Sequence, residues 1–261
     1  MNAPDAAGKF ALQSDLFAAH FVDPVLPGAV KRVTARRRET GLVTLSGLTT
    51  RAAVLGFARQ VMDVQRQRDS GPDGLTAIDD TGQHQVRWPR FSGQSSLGPG
   101  LHTEGSARVT PPRLVLLVCT EPASQGGHSL LVDGRCLYAE TEDCPEAVAA
   151  LSNPRAGFFG RSGGTFAQHD GGRVSVRFRQ DELVRWHPLA RLHLHALRMA
   201  AVRHQQMLTL EAGQGYLLDN HRWLHGRTAF HGARRCYRAL GNPHEHAPPG
   251  FLPRSTGGGA A

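Results

Sequence analysis

The apolar stretches of this chain are short and end at glycine or proline, which excludes most architectures open to 261 residues. Residues 113–119 (Arg-Leu-Val-Leu-Leu-Val-Cys) follow Pro111-Pro112, and residues 128–133 (His-Ser-Leu-Leu-Val-Asp) follow Gly126-Gly127. Residues 215–219 and 234–240 have the same strand length. Shorter strand-like pieces lie at 41–46, 156–159 and 173–178. With 30 glycines and 16 prolines between them, these runs imply many turns rather than a helical bundle. Helical periodicity is confined to three places. Residues 52–66 carry Ala52, Leu55, Ala58, Val61 and Met62 on one side, with Thr49 or Thr50 as the cap. Two short helices fit 134–152, and 191–210 is the longest candidate, with Leu194, Leu197, Ala201, Met207 and Leu208 as its apolar side. The expected class is mainly β with flanking helices, a β-sandwich or jelly roll.

One domain is expected over residues 15–247, preceded by a loosely held 1–14 and followed by a flexible tail at 248–261. No run of about 18 apolar residues exists, so no membrane partner is expected. The amino-terminal residues lack a basic stretch followed by an apolar run, and a cytoplasmic location is the expectation. The four cysteines form no CxxC pair, and Cys119, inside an apolar run, reads as a small core residue. The formal charge is +8 and almost entirely arginine, since Lys9 and Lys31 are the only lysines. Its densest part, residues 31–38, reads as a solvated strip. It is also what motivates a reading from another class, a nucleic-acid-binding or regulatory protein with a vestigial metal site. No aromatic recognition motif accompanies it, so nucleic acid is not the expected partner.

Chemistry concentrates in two segments. In Leu101-His102-Thr103-Glu104-Gly105-Ser106, extended backbone would project His102 and Glu104 to the same face. Imidazole and carboxylate together, without cysteine, suit a divalent first-row metal, and two histidines with one carboxylate is the ligand set of non-haem iron(II) oxygenases. Alone, the pair is weak in a chain with 14 histidines. The second segment runs Asp219-Asn220-His221-Arg222-Trp223-Leu224-His225-Gly226-Arg227-Thr228-Ala229-Phe230. His221 and His225 are four apart, and on a continuous strand they would share a face, so spacing does not choose between them. Arg234 and Arg238 are evenly spaced and would point inward together, where guanidinium groups need carboxylate partners.

In combination and in order, these residues resemble the iron- and 2-oxoglutarate-dependent oxygenases of the taurine dioxygenase and clavaminate synthase type. The resemblance is carried by His102-Thr-Glu104, Pro111-Pro-Arg with the strand after it, Gly126-Gly-His-Ser129, Val132-Asp-Gly134, and Asp219-Asn220 through Phe230 with Arg234 and Arg238. It spans roughly residues 101–240.

The resemblance implies a double-stranded β-helix (jelly roll) whose mouth holds iron(II) on His102, Glu104 and His225. The Gly-Arg-Thr-Ala-Phe after His225 resolves the tie with His221. It further implies 2-oxoglutarate as co-substrate with dioxygen, its far carboxylate meeting Arg234 and Ser129, and Arg238 contacting either the substrate or the co-substrate. Ser92, Gln94 and Ser95, just upstream of His102, are the substrate-binding candidates of the loop. The implied activity is a dioxygenase that hydroxylates an unactivated C–H bond of a small polar molecule, such as an amino acid or other carboxylate-bearing metabolite. The same chemistry on a nucleotide or carrier-bound substrate, or desaturation or cyclisation, is the alternative. The intact carboxylate at Glu104 argues against a halogenase, in which halide takes that ligand's place.

Overall fold

The computed structural model describes residues 16–79, 100–181 and 184–253. The chain forms helix α1 (Ala29–Thr40), β1 (Leu42–Leu45), α2 (Arg51–Val61), β2 (Met62–Val64) and β3 (Thr76–Asp79). It continues with β4 (Leu114–Glu121), β5 (Gln125–Gly126), β6 (Ser129–Asp133), α3 (Gly134–Glu142) and α4 (Pro145–Ser152). The short strands β7 (Gly157–Phe158), β8 (Ser162–Gly163), β9 (Phe166–His169), β10 (Arg173–Val176) and β11 (Arg185–Trp186) precede α5 (Pro188–His204). Strands β12 (Gln206–Leu208), β13 (Gly215–Asp219), β14 (Trp223–Arg227), β15 (Phe230–His231) and β16 (Arg235–Pro243) complete the described fold.

Two sheets organise these elements. The larger runs β1-β13-β4-β16-β2, with β3 also paired to β16, and the smaller runs β12-β6-β14. The ladders are antiparallel. Strand β4, in the middle of the larger sheet, explains why its sequence is apolar without alternation: both of its faces are covered. Leu114, Leu116 and Val118 pack with Val54, Phe57 and Val33 of the two amino-terminal helices. Val115, Leu117 and Cys119 face the opposite way, with Leu131, Leu208, Tyr216 and Trp223 between the sheets. A third cluster joins the smaller sheet to α3, α4 and α5 through Val132, Leu224, Leu137, Leu151 and Leu194. Cys119 is therefore the small core residue its neighbours suggest.

Thr50 caps α2, its hydroxyl accepting from the Ala53 N–H at 3.1 Å. That helix stops at Val61, five residues before the expected end, because Met62 turns extended and β2 pairs with β16. Likewise α5 ends at His204, and Met207 and Leu208 belong to β12, where Leu208 is drawn into the space between the sheets. The basic strip at 31–38 lies on α1, a helix that periodicity did not announce. Its buried line is only Ala29, Val33 and Arg37, too thin an apolar face to stand out among arginines. Gly28 and Gly41, both in the left-handed region, bound it, and Arg37 pairs with Glu245. The carboxyl-terminal residues from 248 do not all form a loose tail. Phe251 bridges to Val174 and is buried, and Arg173 donates to the Pro249 and Gly250 carbonyls.

Candidate active site

His102 and His225 meet first through their backbones. Each N–H donates to the other's carbonyl, at 2.9 and 3.0 Å, forming an isolated antiparallel bridge beside β14. On β14, His225 stands opposite Leu131 of β6. Thr103 points away from its neighbours and is stitched to Phe178, exchanging backbone and hydroxyl hydrogen bonds with it. With Thr103 so occupied, His102 and Glu104 turn to the other side, as alternation on an extended segment requires.

The three candidate ligand atoms of His102, Glu104 and His225 all lie within 4.8 Å of one another, the one such cluster among the described residues. Glu104 Oε1 is 3.9 Å from His102 Nε2 and 3.5 Å from His225 Nε2. The Gly100 carbonyl can only accept, so the 2.8 Å contact to His102 Nδ1 places the proton there and leaves the Nε2 lone pair facing the cluster. Burial pushes against ionisation of Glu104. The Arg238 guanidinium beside it overcomes this and holds the carboxyl well below the usual carboxylate range. Burial, and next the neighbouring His102, push the His225 imidazole below its ordinary value. An ionised carboxylate and a neutral imidazole are the ligating forms, and no thiolate is at hand, so the donor set fits iron(II).

His221 is excluded by a feature that strand spacing does not reveal. Between β13 and β14 the chain turns at Asn220 to Arg222, closed by Arg222 N–H to the Asp219 carbonyl at 2.9 Å, so no continuous strand joins the two histidines. Burial pushes His221 down to about 4. Above pH 6.5 both folded and unfolded chains carry it neutral. Between 6.5 and 4 the unfolded chain takes up a proton that the native one refuses, so native stability falls by up to roughly 3 kcal/mol over that interval. Urea titrations at pH 7 and 4.5 are expected to show a smaller acid loss in His221→Gln than in the parent; an identical loss would rule out this origin.

Asn220 has no role that spacing suggests, yet it sets Glu104. Its Oδ1 accepts from the Glu104 N–H at 2.7 Å, and its Nδ2 donates to the carbonyls of Glu104 (3.0 Å) and Pro112 (2.8 Å). Beneath it, Arg113 forms a bidentate pair with Asp219 at 2.7 and 2.8 Å, both residues buried.

Arg238 donates from Nη1 to Glu104 Oε1 at 2.6 Å and from Nη2 to Asp69 Oδ2 at 3.1 Å. Arg234 is 5% exposed, and among the described residues no carboxylate lies within ion-pair distance of it; its contact is the Phe230 ring, 5.7 Å from the guanidinium carbon. The side chain is laid across Gly127, where a Cβ would meet Arg234 Cδ and Nε at 3.0 Å. Two residues on, Ser129 is buried, and its side chain partly offsets the rise that burial imposes on the nearby Tyr216 hydroxyl. Tyr216 is fully enclosed between the sheets, and burial raises its pKa. A cavity of about 340 Å³ has Arg234, Gly127, Cys119 and Leu210 in its wall. A buried guanidinium without an anion, beside a space, fits an acidic co-substrate. Ser92, Gln94 and Ser95 lie outside the described residues.

Residues 20–201 match the family described as taurine catabolism dioxygenase TauD, TfdA family. The chain belongs to this family. The match includes His102 and Glu104 and stops before His225, which the fold brings back to them. The same fold is found in an asparagine oxygenase in complex with Fe(II), 2S,3S-3-hydroxyasparagine and succinate, at 17% identity and a TM-score of 0.67, covering 90% of this chain and 84% of that one. It is found also in AAD-2 in complex with Mn(II) and N-oxalylglycine (16% identity, TM-score 0.64, 88% and 97% covered). The non-heme iron oxygenase OrfP in complex with Fe and alpha-ketoglutaric acid is a third (14% identity, TM-score 0.62, 94% and 93% covered). The protein is an Fe(II)- and 2-oxoglutarate-dependent dioxygenase. Among the described residues no helix is long and apolar enough to cross a membrane.

Proposed function

We propose that this dioxygenase hydroxylates an unactivated C–H bond of a small, carboxylate-bearing substrate, most simply an amino acid. The observation that carries the reading is the seating of Arg238 on Glu104 within the cluster of metal-ligating atoms, while Arg234, just before the same strand, is buried without an anion. His102, Glu104 and His225 would hold the iron, in a domain of residues 15–247 built as a double-stranded β-helix. The relatives crystallised with hydroxyasparagine and with (3S)-hydroxy-L-Arg lend support to an amino-acid substrate.

When bound, iron(II) with 2-oxoglutarate and dioxygen supplies the oxidising power, and succinate and carbon dioxide are released. The chain's own residues do the positioning. Arg234 and Ser129 would receive the far carboxylate of 2-oxoglutarate, the planar fork of the arginine matching its two oxygens. Arg238 keeps Glu104 ionised and in place, and offers its outer edge to the substrate.

The test is succinate formation with iron(II) across a panel of free amino acids and nucleotides. Stimulation by one or more amino acids is expected, and stimulation by nucleotides alone would reverse the substrate reading. In the same assay Arg234→Met is expected to raise the KM for 2-oxoglutarate at least about 30-fold, since losing one side of a buried charge pair costs roughly 2–5 kcal/mol. An unchanged KM would remove Arg234 from that role.

A further inference from the structure

We infer that Asp69 is a specificity-determining residue, which with Arg238 selects a substrate carrying a free ammonium group beside its carboxylate and rejects the plain carboxylate. This rests on the amino-acid reading above.

Arg238 faces two anions at once. Nη1 reaches Glu104, so anything that contacts this guanidinium lies next to the metal-ligating cluster, and Nη2 reaches Asp69 at 3.1 Å. Nε is buried and has no hydrogen-bond partner among the described residues. The Asp69 side chain is 39% exposed against 17% for Arg238, so the acid forms the outer and more accessible half of the pair.

Its position is built. The segment carrying it is tied to β16 by the Gln65 N–H on the Leu240 carbonyl at 2.7 Å. The turn at Asp69 is closed by Gln67 N–H to Ser70 Oγ at 2.9 Å and Ser70 N–H to the Gln67 carbonyl at 3.3 Å. The Arg108 guanidinium, just beyond the His102–Glu104 segment, bonds the Gln67 side chain. The loop bearing Asp69 is thus fastened both to the strand of Arg238 and to the stretch following Glu104.

A side-by-side cation and anion is the complement of a zwitterion. A simple carboxylate that takes Arg238 must displace Asp69 and then sit beside a second negative charge. An α-amino acid can give its carboxylate to Arg238 and its ammonium to Asp69, so that both protein charges remain paired. Discrimination arises from repulsion of the wrong ligand as much as from attraction of the right one.

The experiment uses the iron-loaded full chain and the twenty common L-amino acids, each with its N-acetyl and deamino counterpart, read as succinate above the substrate-free rate. The free amino acid that stimulates should do so at least about 10-fold more efficiently than either counterpart. In Asp69→Asn, KM for that amino acid should rise about 10- to 100-fold, the range of one charge-assisted hydrogen bond, with a smaller change in kcat. The preference over the deamino counterpart should collapse, and Asp69→Glu should restore part of it. Matching thermal melts exclude a folding effect. An unchanged or lowered KM in Asp69→Asn overturns the inference, and so does equal stimulation of the parent by a deamino compound. Substrate-free 2-oxoglutarate turnover separates the failures. Turnover with no amino-acid stimulation overturns the amino-acid reading and the inference with it, stimulation by an amino acid and its deamino counterpart alike overturns this selection alone, and no turnover with no iron binding overturns the site assignment.

Discussion

Alanine at His225 is expected to weaken iron(II) binding more than about 100-fold and to abolish substrate-stimulated succinate formation, and His102→Ala to do the same. Substitution of groups that merely orient metal ligands costs about 10–100-fold in affinity or activity, so loss of a ligand itself must exceed that range. The geometry supplies an internal scale for the measurement. Asn220 holds the Glu104 backbone on both its N–H and its carbonyl without adding a ligand atom, so Asn220→Ala should fall inside the 10–100-fold interval. His221→Ala should bind iron normally, since the turn removes that side chain from the cluster. Glu104→Ala is the poorer probe, because it also strips Arg238 of a partner at 2.6 Å. Anaerobic calorimetric titration with iron(II), with circular dichroism to verify the fold, gives the ranking. Parent-like binding in His225→Ala would sink the ligand assignment.

What could be read from the residues divides along a physical line. Strands β4, β6 and β13 were legible because apolar content and bounding Gly or Pro are local properties. So were α2 and its Thr50 cap. The His102–Glu104 pair was legible for the same reason, alternation needing only three residues. Helix α1 was not, since what holds it is a distant pairing of Arg37 with Glu245 as much as its own thin apolar face. The ends of α2 and α5 were overridden by tertiary pairing, β2 with β16 and β12 with β6, which local periodicity does not encode. In the site the same division applies. His221 and His225 were indistinguishable by count, and only the turn at Asn220–Arg222, or the residues following His225, separates them. Asn220 and Asp69 act across separations such as the 116 residues between Asn220 and Glu104, where no spacing rule operates. Arg238 was expected inward and is inward, but its two carboxylate neighbours could be named only from the fold.

Removing the carboxylate of Asp219 is expected to destabilise the protein by roughly 3–5 kcal/mol, the cost of leaving a buried partner charge uncompensated. For a chain of this length that is a fall in melting temperature of about 5–10 °C. The pair joins the start of β4 to the end of β13, where Asp219 stands opposite Leu114. Its effect reaches further than those strands. Asp219 Oδ1 also accepts from the His221 N–H at 3.0 Å, and the Arg113 carbonyl accepts from the Asn220 N–H at 2.8 Å, so the turn that delivers His225 is built on the same pair. Arg113 Nη2 also donates to the Pro248 carbonyl at 2.8 Å, which ties down the carboxyl-terminal residues. Asp219→Ala leaves Arg113 with those carbonyls but no anion, whereas the double substitution Arg113→Met with Asp219→Leu removes both charges. Because a buried ion pair contributes little net stability over well-packed apolar groups, the double variant should recover much of the loss. Iron affinity should behave differently. Asn220 and the turn depend on the hydrogen bonds of Asp219 as well as on its charge, so the double variant should regain melting temperature without regaining parent-like iron binding. Recovery of both together would mean that the pair serves only the fold, and recovery of neither would mean that the apolar replacements do not pack.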